Sequence, residues 1–513
     1  MHPIKSLTRP NPSIIPHMSD RPELQQVFTV SGIPTYTFVR PTEFGRLLVA
    51  LKTPGRGIVI EGPSGIGKTT AVTKALDEVG VTEKVIKLSA RKMDDVTFLN
   101  ELPGMLPFGV VIVDDFHKLP EETKQKVADL MKVLADEGKQ DSKVIAVGIN
   151  NAGESLISFA GDLANRLETI PFEINPDSKV LELLTLGEKE LNISINIKDE
   201  IVTASNGSFY LAQMLAFNTC LEAGFLARQE HIQQSAISFA TVKSRVFETL
   251  SKRFSARTRN FAKGTRLRRE GRAPYLHLLF WLGSSDEWTL SLDKAKMHHP
   301  ELRGSLTQII EKDYLVELID GDPEIHEVLH FDSRSKLLTV EDPQYIFYLR
   351  NISWARFASD VGYLSVEFPS RYDVALSFSG SERYVAEAIF NCLQDLELEV
   401  FYDKNERYRI LASDVEDYLR PIYQSDAQFV LVLLSKEFPK RIWTKFESDQ
   451  FKQRFNQGSV IPIWFKDAPV GFFDESGRVG GLTYDPSADL NLQVDAICEE
   501  LRKKIAETRV GDY

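Results

Sequence analysis

The chain has 513 residues, more than a single hydrophobic core usually supports, so two to four domains are expected. Hydrophobic residues make up 43% and charged residues 26%, which predicts folded globular domains and excludes large-scale disorder. The formal net charge of −12 argues against polyanion binding by the whole protein, although a local basic face is compatible with it.

Nothing in the sequence indicates a membrane protein. Even the longest apolar runs, such as Phe429–Leu434, fall far short of the roughly 20 residues needed to cross a bilayer, and the first twenty residues have no signal-peptide core. Three cysteines, Cys220, Cys392 and Cys498, stand far apart, which excludes a disulfide framework and a cysteine-rich zinc site. These features predict a cytoplasmic protein without a membrane partner.

Alternating apolar patterns divide the chain into segments. Strand-like and helical patterns alternate between residues 26 and 175, which is typical of a parallel sheet with helical crossovers. Strand patterns are lost at 176–240, which predicts a helical lid. Residues 241–360 hold a basic stretch, then three helical patterns and a hairpin, the order of a winged-helix domain. Alternation resumes at 361–513, and residues 1–25 read as a flexible tail.

A glycine-rich loop follows the first strand pattern, Ile58–Glu61. It satisfies G-x-x-x-x-G-K-[ST] between a strand and a helix, the context of a phosphate-binding loop. Backbone N–H groups of such a loop surround the phosphates of ATP, the lysine reaches the β- and γ-phosphates and the threonine hydroxyl ligates Mg²⁺. The expected nucleotide contacts are Gly62, Pro63, Ser64, Gly65, Ile66, Gly67, Lys68, Thr69 and Thr70.

Two carboxylates end the buried strand pattern Val110–Val113. Asp114 is expected to hold the magnesium ion together with Thr69, and Asp115 to polarise the attacking water. A pair of acids at a strand end is also compatible with a helix cap.

Two further polar residues are candidates for the γ-phosphate. Asn150 follows the strand pattern Val144–Val147 and is a candidate sensor. Arg166 lies where ring-forming ATPases often carry an arginine that acts on a neighbouring subunit's nucleotide. A surface salt bridge is the alternative for Arg166.

With these motifs, residues 27–240 resemble the AAA+ and STAND branch of P-loop ATPases, in which ATP switches assembly. The resemblance implies a homo-oligomer on activation. One departure is at Gly207–Tyr210, a lid position where many AAA+ members carry an arginine, so lid sensing by that route is not expected.

Residues 371–508 resemble a Toll/interleukin-1 receptor (TIR) domain of flavodoxin-like fold. The resemblance is carried by Tyr372–Gly380, Val400–Asp403, Phe429–Ser435 and Trp443–Glu447. TIR domains are either adaptors that only bind one another or enzymes that cleave NAD⁺, and the enzymes carry a glutamate four residues after a tryptophan.

That spacing makes Glu447 the leading catalytic candidate, with Trp443 shaping the pocket wall. A carboxylate beside the ribose offsets the positive charge of an oxocarbenium-like transition state. Phe378, Ser379 and Asp403 end strand patterns, where ligands bind in open α/β sheets, and are expected to line the NAD⁺ pocket. On spacing alone, a solvated helix charge is the favoured interpretation of Glu447, and the catalytic role is what the resemblance implies.

The stretch from Lys252 to Arg272 contains nine basic residues and a single acidic residue, Glu270. Contact with nucleic-acid phosphates is one interpretation. Because few aromatic residues interleave for base stacking, a surface that meets acidic faces of this protein is favoured.

Taken together, the motifs favour an ATP-regulated, oligomerising TIR NAD⁺ hydrolase in antiphage defence, set off by an invader's protein or nucleic acid. A non-enzymatic TIR adaptor and a DNA-bound ATPase are the alternatives. The sequence does not identify the trigger, the oligomer size or whether the product is linear or cyclic. It also leaves open whether ATP binding or ATP hydrolysis is the switch.

Overall fold

The computed structural model describes the chain in several stretches. These are residues 21–81, 85–149, 165–367, 370–404, 418–419, 421–438, 454, 458–468 and 480–511. The chain divides into two compact units, residues 1–248 and 249–513. No helix in these stretches is long and apolar enough to span a membrane.

A five-stranded parallel sheet forms the core of the first unit. Its strands are β1 (Gly57–Glu61), β2 (Val85–Ser89), β3 (Gly109–Asp114), β4 (Ser142–Val147) and β5 (Leu167–Pro171). The spatial order is β2-β3-β4-β1-β5, with every neighbouring pair parallel. β1, β3 and β4 are apolar on both faces because helices cover both sides of the sheet. The predicted parallel α/β fold is confirmed, and β5 is a strand that the apolar pattern did not indicate.

Helices pack on both faces of this sheet. They are α2 (Phe44–Lys52), α3 (Lys68–Val79), α4 (Met93–Glu101) and α5 (Glu121–Asp136), and the short helix α1 (Leu24–Val27), which precedes them, packs against helices that follow β5. The bounds of α5 agree with its sequence pattern, because Val127, Met131 and Leu134 repeat at helical spacing and are fully buried. Although the predicted tail runs to residue 25, Leu24 is buried and its N–H donates to the carbonyl of Leu226.

Three helices follow β5 in the region predicted to be a lid. They are α6 (Asp177–Leu191), α7 (Lys198–Ser205) and α8 (Phe209–Glu222), with a small sheet of β6 (Ile193–Ser194) and β7 (Gln233–Gln234) beside them. Ser208 caps α8 by accepting a hydrogen bond from the N–H of Leu211 at 3.2 Å.

We call residues 249–367 the middle module. After the long helix α9 (Phe239–Lys263), its elements in chain order are α10 (Pro274–Ser284), β8 (Thr289–Ser291), α11 (Leu292–His298), α12 (Arg303–Glu311), α13 (Tyr314–Gly321), α14 (Pro323–His326), β9 (Leu329–Asp332), β10 (Leu337–Val340), α15 (Pro343–Arg350) and α16 (Trp354–Val361). The strands form an antiparallel sheet of order β8-β10-β9. The three predicted helices and the hairpin are present, with the short helices α13 and α14 between them.

We call residues 370–511 the C-terminal module. Its elements are β11 (Tyr372–Ser377), α17 (Arg383–Asp395), β12 (Val400–Phe401), β13 (Ala427–Leu434), β14 (Val460–Phe465), β15 (Leu482–Tyr484) and α18 (Leu490–Gly511). All neighbouring strands are parallel, in the order β12-β11-β13-β14-β15. With the strands counted from the start of the module, this order is 2-1-3-4-5, which is that of flavodoxin-like sheets. The predicted helix at 444–453 lies outside the described residues.

Candidate functional site

The phosphate-loop sequence folds into a tight turn between β1 and α3. Gly62, Gly65 and Gly67 have positive φ angles of 143°, 75° and 99°, which residues with a side chain rarely adopt. A Cβ atom on Gly62 would lie 2.2 Å from the carbonyl oxygen of Phe172. The loop therefore requires glycine at this position for steric as well as conformational reasons.

Lys68, Thr69 and Asp114 meet at the carboxyl end of β1 and β3. The Lys68 ammonium donates to the carbonyl oxygens of Gly62 at 2.8 Å and Pro63 at 2.7 Å. The Thr69 hydroxyl donates to Oδ2 of Asp114 at 3.3 Å. Burial lowers the pKa of Lys68 to about 8, and burial followed by repulsion from Asp115 raises the pKa of Asp114. This cluster of buried charges is suited to a ligand that brings both negative charge and a cation.

Asp115 sits differently from Asp114. Its φ angle is 56°, a left-handed conformation, and its carboxylate forms an ion pair with the Nε of Arg91 at 2.5 Å. Arg91 follows β2 at the same edge of the sheet, and the sequence reasoning missed it. Its position just after the strand next to β3 was the signal that could have placed this basic residue near Asp115.

The lid contacts the phosphate loop directly. The N–H of Tyr210 donates to the carbonyl of Gly65 at 3.1 Å, and the Ser208 hydroxyl donates to the same oxygen at 3.2 Å. The Asn175 amide donates to the carbonyl of Ile66 at 3.2 Å and to that of Gly207 at 2.9 Å. The segment that departs from the AAA+ pattern thus binds the loop backbone, which the sequence did not indicate.

Arg166 forms an ion pair with Asp136, with 2.5 Å between Nε and Oδ1. This is the salt bridge that was the alternative to a role at the nucleotide. Asn150, the candidate sensor, lies outside the described residues.

The donor set fits a magnesium–nucleotide complex. Thr69 and Asp114 supply the hydroxyl and carboxylate oxygens that magnesium prefers, and Lys68 supplies a cation for phosphate oxygens. Backbone N–H groups of the loop lie at the start of α3, a 12-residue helix whose dipole favours an anion.

The second candidate site is at the carboxyl edge of the sheet in the C-terminal module. Arg383 donates from Nη1 and Nη2 to the two oxygens of Asp403, at 2.8 and 2.7 Å. Its guanidinium also lies over the rings of Phe378 and Tyr402, with 5.1 and 5.8 Å to the ring centres. The hydrogen bonds that Arg383 donates to Asp403 raise the pKa of Arg383, so the guanidinium stays charged.

The structure thus brings Phe378 and Asp403 together through Arg383, a residue that sequence reasoning missed. Ser379 follows Phe378 in the chain but is fully buried, and a hydrogen bond of 3.1 Å joins its hydroxyl to that of Ser381. Trp443 and Glu447 lie outside the described residues.

Several residues of the basic stretch, Lys252 to Arg272, form ion pairs or hydrogen bonds within the second unit. Arg253 pairs with Asp342, and Arg257 with Glu327. The guanidinium groups of Arg268, Arg269 and Arg272 donate to residues 395, 362 and 373, respectively. The carboxylate contacts of Arg253, Arg257 and Arg272 agree with the interpretation that the stretch meets acidic groups of this protein. The contacts of Arg268 and Arg269 are to backbone carbonyls, which that interpretation did not include.

Residues 58–171 match the family model "ATPase family associated with various cellular activities (AAA)". They form an AAA ATPase domain of the P-loop fold, as the motif predicted. A stretch of 102 residues is 33% identical to the 3′ cyclic ADP-D-ribose synthase AaTIR of Aquimarina amphilecti. This match covers 19% of the chain and 31% of that protein, so the chain spans about a third of the relative's length.

Among solved structures, the chain is similar to the Aeropyrum pernix ORC1 protein in complex with DNA, with a TM-score of 0.35 and 14% identity over 66% of this chain and 98% of that one. It is also similar to a Walker-type ATPase of Pyrococcus abyssi, with a TM-score of 0.37 and 15% identity over 62% of this chain and all of that one.

Proposed function

We propose that the chain is an ATP-regulated NAD⁺-cleaving enzyme whose C-terminal module is a TIR domain. The observation that carries this proposal is the Arg383–Asp403 pair beside Phe378, at the carboxyl edge of a parallel sheet of order 2-1-3-4-5. The 33% identity with a protein named as a cyclic ADP-ribose synthase supports NAD⁺ as the substrate class.

The chemistry is cleavage of the bond between the pyridinium nitrogen and ribose C1′. The bonding electrons leave with nicotinamide, which departs as a neutral base and needs no proton. Either water or a hydroxyl of the same molecule then bonds to C1′ and loses a proton, giving linear or cyclic ADP-ribose. Glu447 offsets the positive charge that develops on the ribose.

Arg383 has two roles in this proposal. It holds the Asp403 carboxylate by two hydrogen bonds, and its charge favours the diphosphate of NAD⁺ at the same edge. Phe378, half-buried under the guanidinium, supplies an apolar surface for a ring of the substrate.

The ATPase domain is the control element in this proposal. Magnesium–ATP, when bound, supplies the negative phosphates and the cation that the buried Lys68 and Asp114 are suited to receive. Ser208 and Tyr210 bond the loop backbone, so a change in the loop is passed to the lid. We infer that this change promotes assembly of several copies, that assembly activates the C-terminal module, and that the trigger comes from an invading phage.

The test is NAD⁺ consumption by the purified full-length chain, with and without magnesium–ATP, and with products identified by mass spectrometry. Glu447→Gln should remove NAD⁺ loss, and Asp449→Asn, which changes a carboxylate two residues further along the sequence in the same way, should retain it. If wild type and Glu447→Gln are equally inert while assembly is intact, the enzymatic proposal fails, and if both cleave NAD⁺ equally, Glu447 is not the catalytic residue. If wild type is inert while it assembles with ATP, the adaptor alternative is correct.

A further inference from the structure

A cavity of about 720 Å³ lies within the second unit, where the middle and C-terminal modules meet. The middle module contributes the loop after α9 and parts of α10, α12 and α13 to its wall. The C-terminal module contributes α17, the residues just after it, and the start of α18. Pockets that hold small organic molecules have volumes of roughly 300–1,000 Å³, so this cavity is large enough for such a ligand.

Two buried polar atoms on the wall of this cavity lack a hydrogen-bond partner. Among the residues that the structure describes, none bonds to Nη1 of Arg268 or to Oε2 of Glu397. Glu397 is only 9% exposed, so water reaches little of its carboxyl group. Buried polar atoms of folded proteins nearly always have a partner, because an unpartnered one destabilises the fold. A ligand in the cavity would supply both missing partners.

Backbone contacts hold both side chains in place. Glu397 follows the end of α17 in a left-handed conformation, with a φ of 57°, where glycine or asparagine is usual. Its N–H donates to the carbonyl of Gln394 at 2.8 Å, and its own carbonyl accepts from the N–H of Arg272 at 2.9 Å. Nε of Arg268 donates to the carbonyl of Asp395. A glutamate here destabilises the fold through its backbone and through its unpartnered oxygen, so stability alone does not explain it.

The charged groups on the wall nearly balance. Arg266 and Arg268 are positive, and Asp395 and Asp495 are negative. Burial raises the pKa of Glu397 to about 8, against the lowering effect of Arg268, so this carboxyl is largely protonated at neutral pH. A protonated carboxyl donates a hydrogen bond to a phosphate oxygen, which a carboxylate would repel. The wall therefore suits a ligand with one phosphate group, and the two aspartates disfavour the higher charge of a triphosphate.

The rest of the wall suits a ring with hydrogen-bonding groups. Tyr275 and the half-buried Tyr314 are on the wall, and aromatic side chains commonly stack on nucleobases. Asn391 and Asn491 add side-chain amides, which both donate and accept, as the edge of a base requires. The apolar part of the wall is formed by Ile309, Ala388, Leu396 and Val494. A phosphate ion alone would leave all of these groups without a contact.

We propose that this cavity binds a nucleoside monophosphate. The phosphate accepts hydrogen bonds from Nη1 of Arg268 and from the carboxyl group of Glu397, and the base lies against the tyrosines with its edge on the asparagine amides. Because Arg268 belongs to the middle module and Glu397 to the C-terminal module, the ligand connects the two modules. The proposal depends neither on NAD⁺ cleavage nor on ATP binding at Lys68.

The test is calorimetric titration of the full-length chain, saturated with magnesium–ATP, with AMP, GMP, CMP and UMP in turn. At least one of them should bind, and additional ATP should not displace it. On the same complex, amide hydrogen exchange should slow in residues 306–314 and 388–397. The parent nucleoside and ribose 5-phosphate should each bind at least about tenfold more weakly than the complete compound, because each lacks part of the contacts.

Two variants locate the site. Arg268→Gln removes the unpartnered guanidinium nitrogen and should weaken binding about 10- to 100-fold, the range for one hydrogen bond to a charged group. Arg269→Gln is the matched control, because Arg269 donates to the carbonyl of Gly362 and is not on the wall; it should change affinity less than about threefold. Asn391→Leu, at an exposed position on the wall, should also weaken binding. Thermal unfolding verifies that the variants are folded.

Four results would overturn the proposal. One is the absence of binding by all four compounds at millimolar concentration, in which case the cavity holds water only. Another is displacement by ATP with exchange slowed only in residues 57–69, which would place the compound in the phosphate loop. The third is ribose 5-phosphate binding as tightly as the complete compound. These three are measured on the wild-type protein and do not depend on the folding of a variant. The fourth is equal affinity of Arg268→Gln and Arg269→Gln.

Discussion

Arg272 and Asp373 form a buried ion pair that joins the basic stretch to the first strand of the C-terminal module. Nε and Nη2 of Arg272 each lie 2.8 Å from an oxygen of Asp373, and the two side chains are 0% and 2% exposed. Arg509 on α18 donates to the same carboxylate at 2.7 Å. Together Arg272 and Arg509 lower the pKa of Asp373, although burial opposes them. One carboxylate therefore connects three separate parts of the chain.

This arrangement predicts a ranking of two variants. Asp373→Asn removes the carboxylate that both buried guanidinium groups bind directly, and should cost about 3–5 kcal/mol of stability in the second unit. Arg272→Met leaves Asp373 paired with Arg509 and should cost less. Thermal unfolding, with the second unit assigned by hydrogen exchange, measures both. Asp360→Asn, which removes the exposed Arg356–Asp360 pair, is the control and should change stability by less than about 1 kcal/mol. Equal effects of all three would contradict the ranking.

A second prediction concerns the ATP-binding lysine. Lys68→Ala removes the only charged group of the loop, so magnesium–ATP affinity should fall at least about 100-fold, the order expected for one charge-assisted contact. ATP-dependent activation of NAD⁺ cleavage should be lost as well. Calorimetric titration with ATP measures the affinity, and Lys74→Ala, later on the same helix, is the matched control. Full ATP-dependent activity of Lys68→Ala would disprove ATP control.

The stability of the second unit should depend on pH through Glu397. Burial raises the pKa of this carboxyl to about 8, against the lowering effect of Arg268. The folded state thus keeps a proton that the unfolded state loses near its ordinary pKa of 4.5. Because the folded state binds more protons between these values, stability is full at low pH and falls as pH rises through about 8.

Glu397→Gln keeps the shape of the protonated side chain and removes its titration. The variant should lose a stability slope of up to about 1.4 kcal/mol per pH unit between pH 5 and 8. Denaturant unfolding at several pH values measures the slope, and Glu387→Gln, at an exposed pair with Lys404, is the control. An unchanged slope in Glu397→Gln would show that the carboxyl is already ionised in the folded protein.

Most strands of the two parallel sheets were predictable because they carry strong local signals, whereas β5 and β15, which end their sheets, were not indicated. The Val110–Val113 run is buried on both faces, and the bounds of α5 follow from its apolar spacing. The phosphate loop was predictable for the same reason, since one local motif specifies both its turn and its chemistry.

Contacts between distant segments were not predictable. Nothing near Arg383 in the sequence indicates that it holds Asp403, because the pairing depends on α17 and β12 meeting at one edge of the sheet. The contact of Tyr210 with Gly65 likewise depends on how the lid packs. Such pairings are set by tertiary structure, which local patterns do not encode.

The Arg383–Asp403 pair gives a prediction for the proposed NAD⁺ site. Arg383→Ala removes both the charge and the support of Asp403, and should lower kcat/KM for NAD⁺ about 10- to 1000-fold, the range expected for loss of a charge-assisted clamp. Lys404→Ala, at the neighbouring exposed pair with Glu387, is the control and should change kcat/KM less than about threefold. Similar kinetics for the two variants would exclude Arg383 from the substrate site.

The last prediction compares two glycines with positive φ, Gly62 in the phosphate loop and Gly80 at the end of α3. The comparison separates the conformational cost of a side chain from the steric cost of its Cβ atom. Gly80 ends α3 with a φ of 80° and open space around its Cβ position, so Gly80→Ala should cost only the conformational penalty of about 1–2 kcal/mol. Gly62→Ala adds a Cβ atom 2.2 Å from the carbonyl of Phe172, which must move together with the end of β5. It should therefore destabilise the first unit more than Gly80→Ala and also abolish ATP binding. Thermal unfolding of the first unit and ATP titration test both effects, and equal loss of stability in the two variants would mean that the approach of Phe172 is readily relieved.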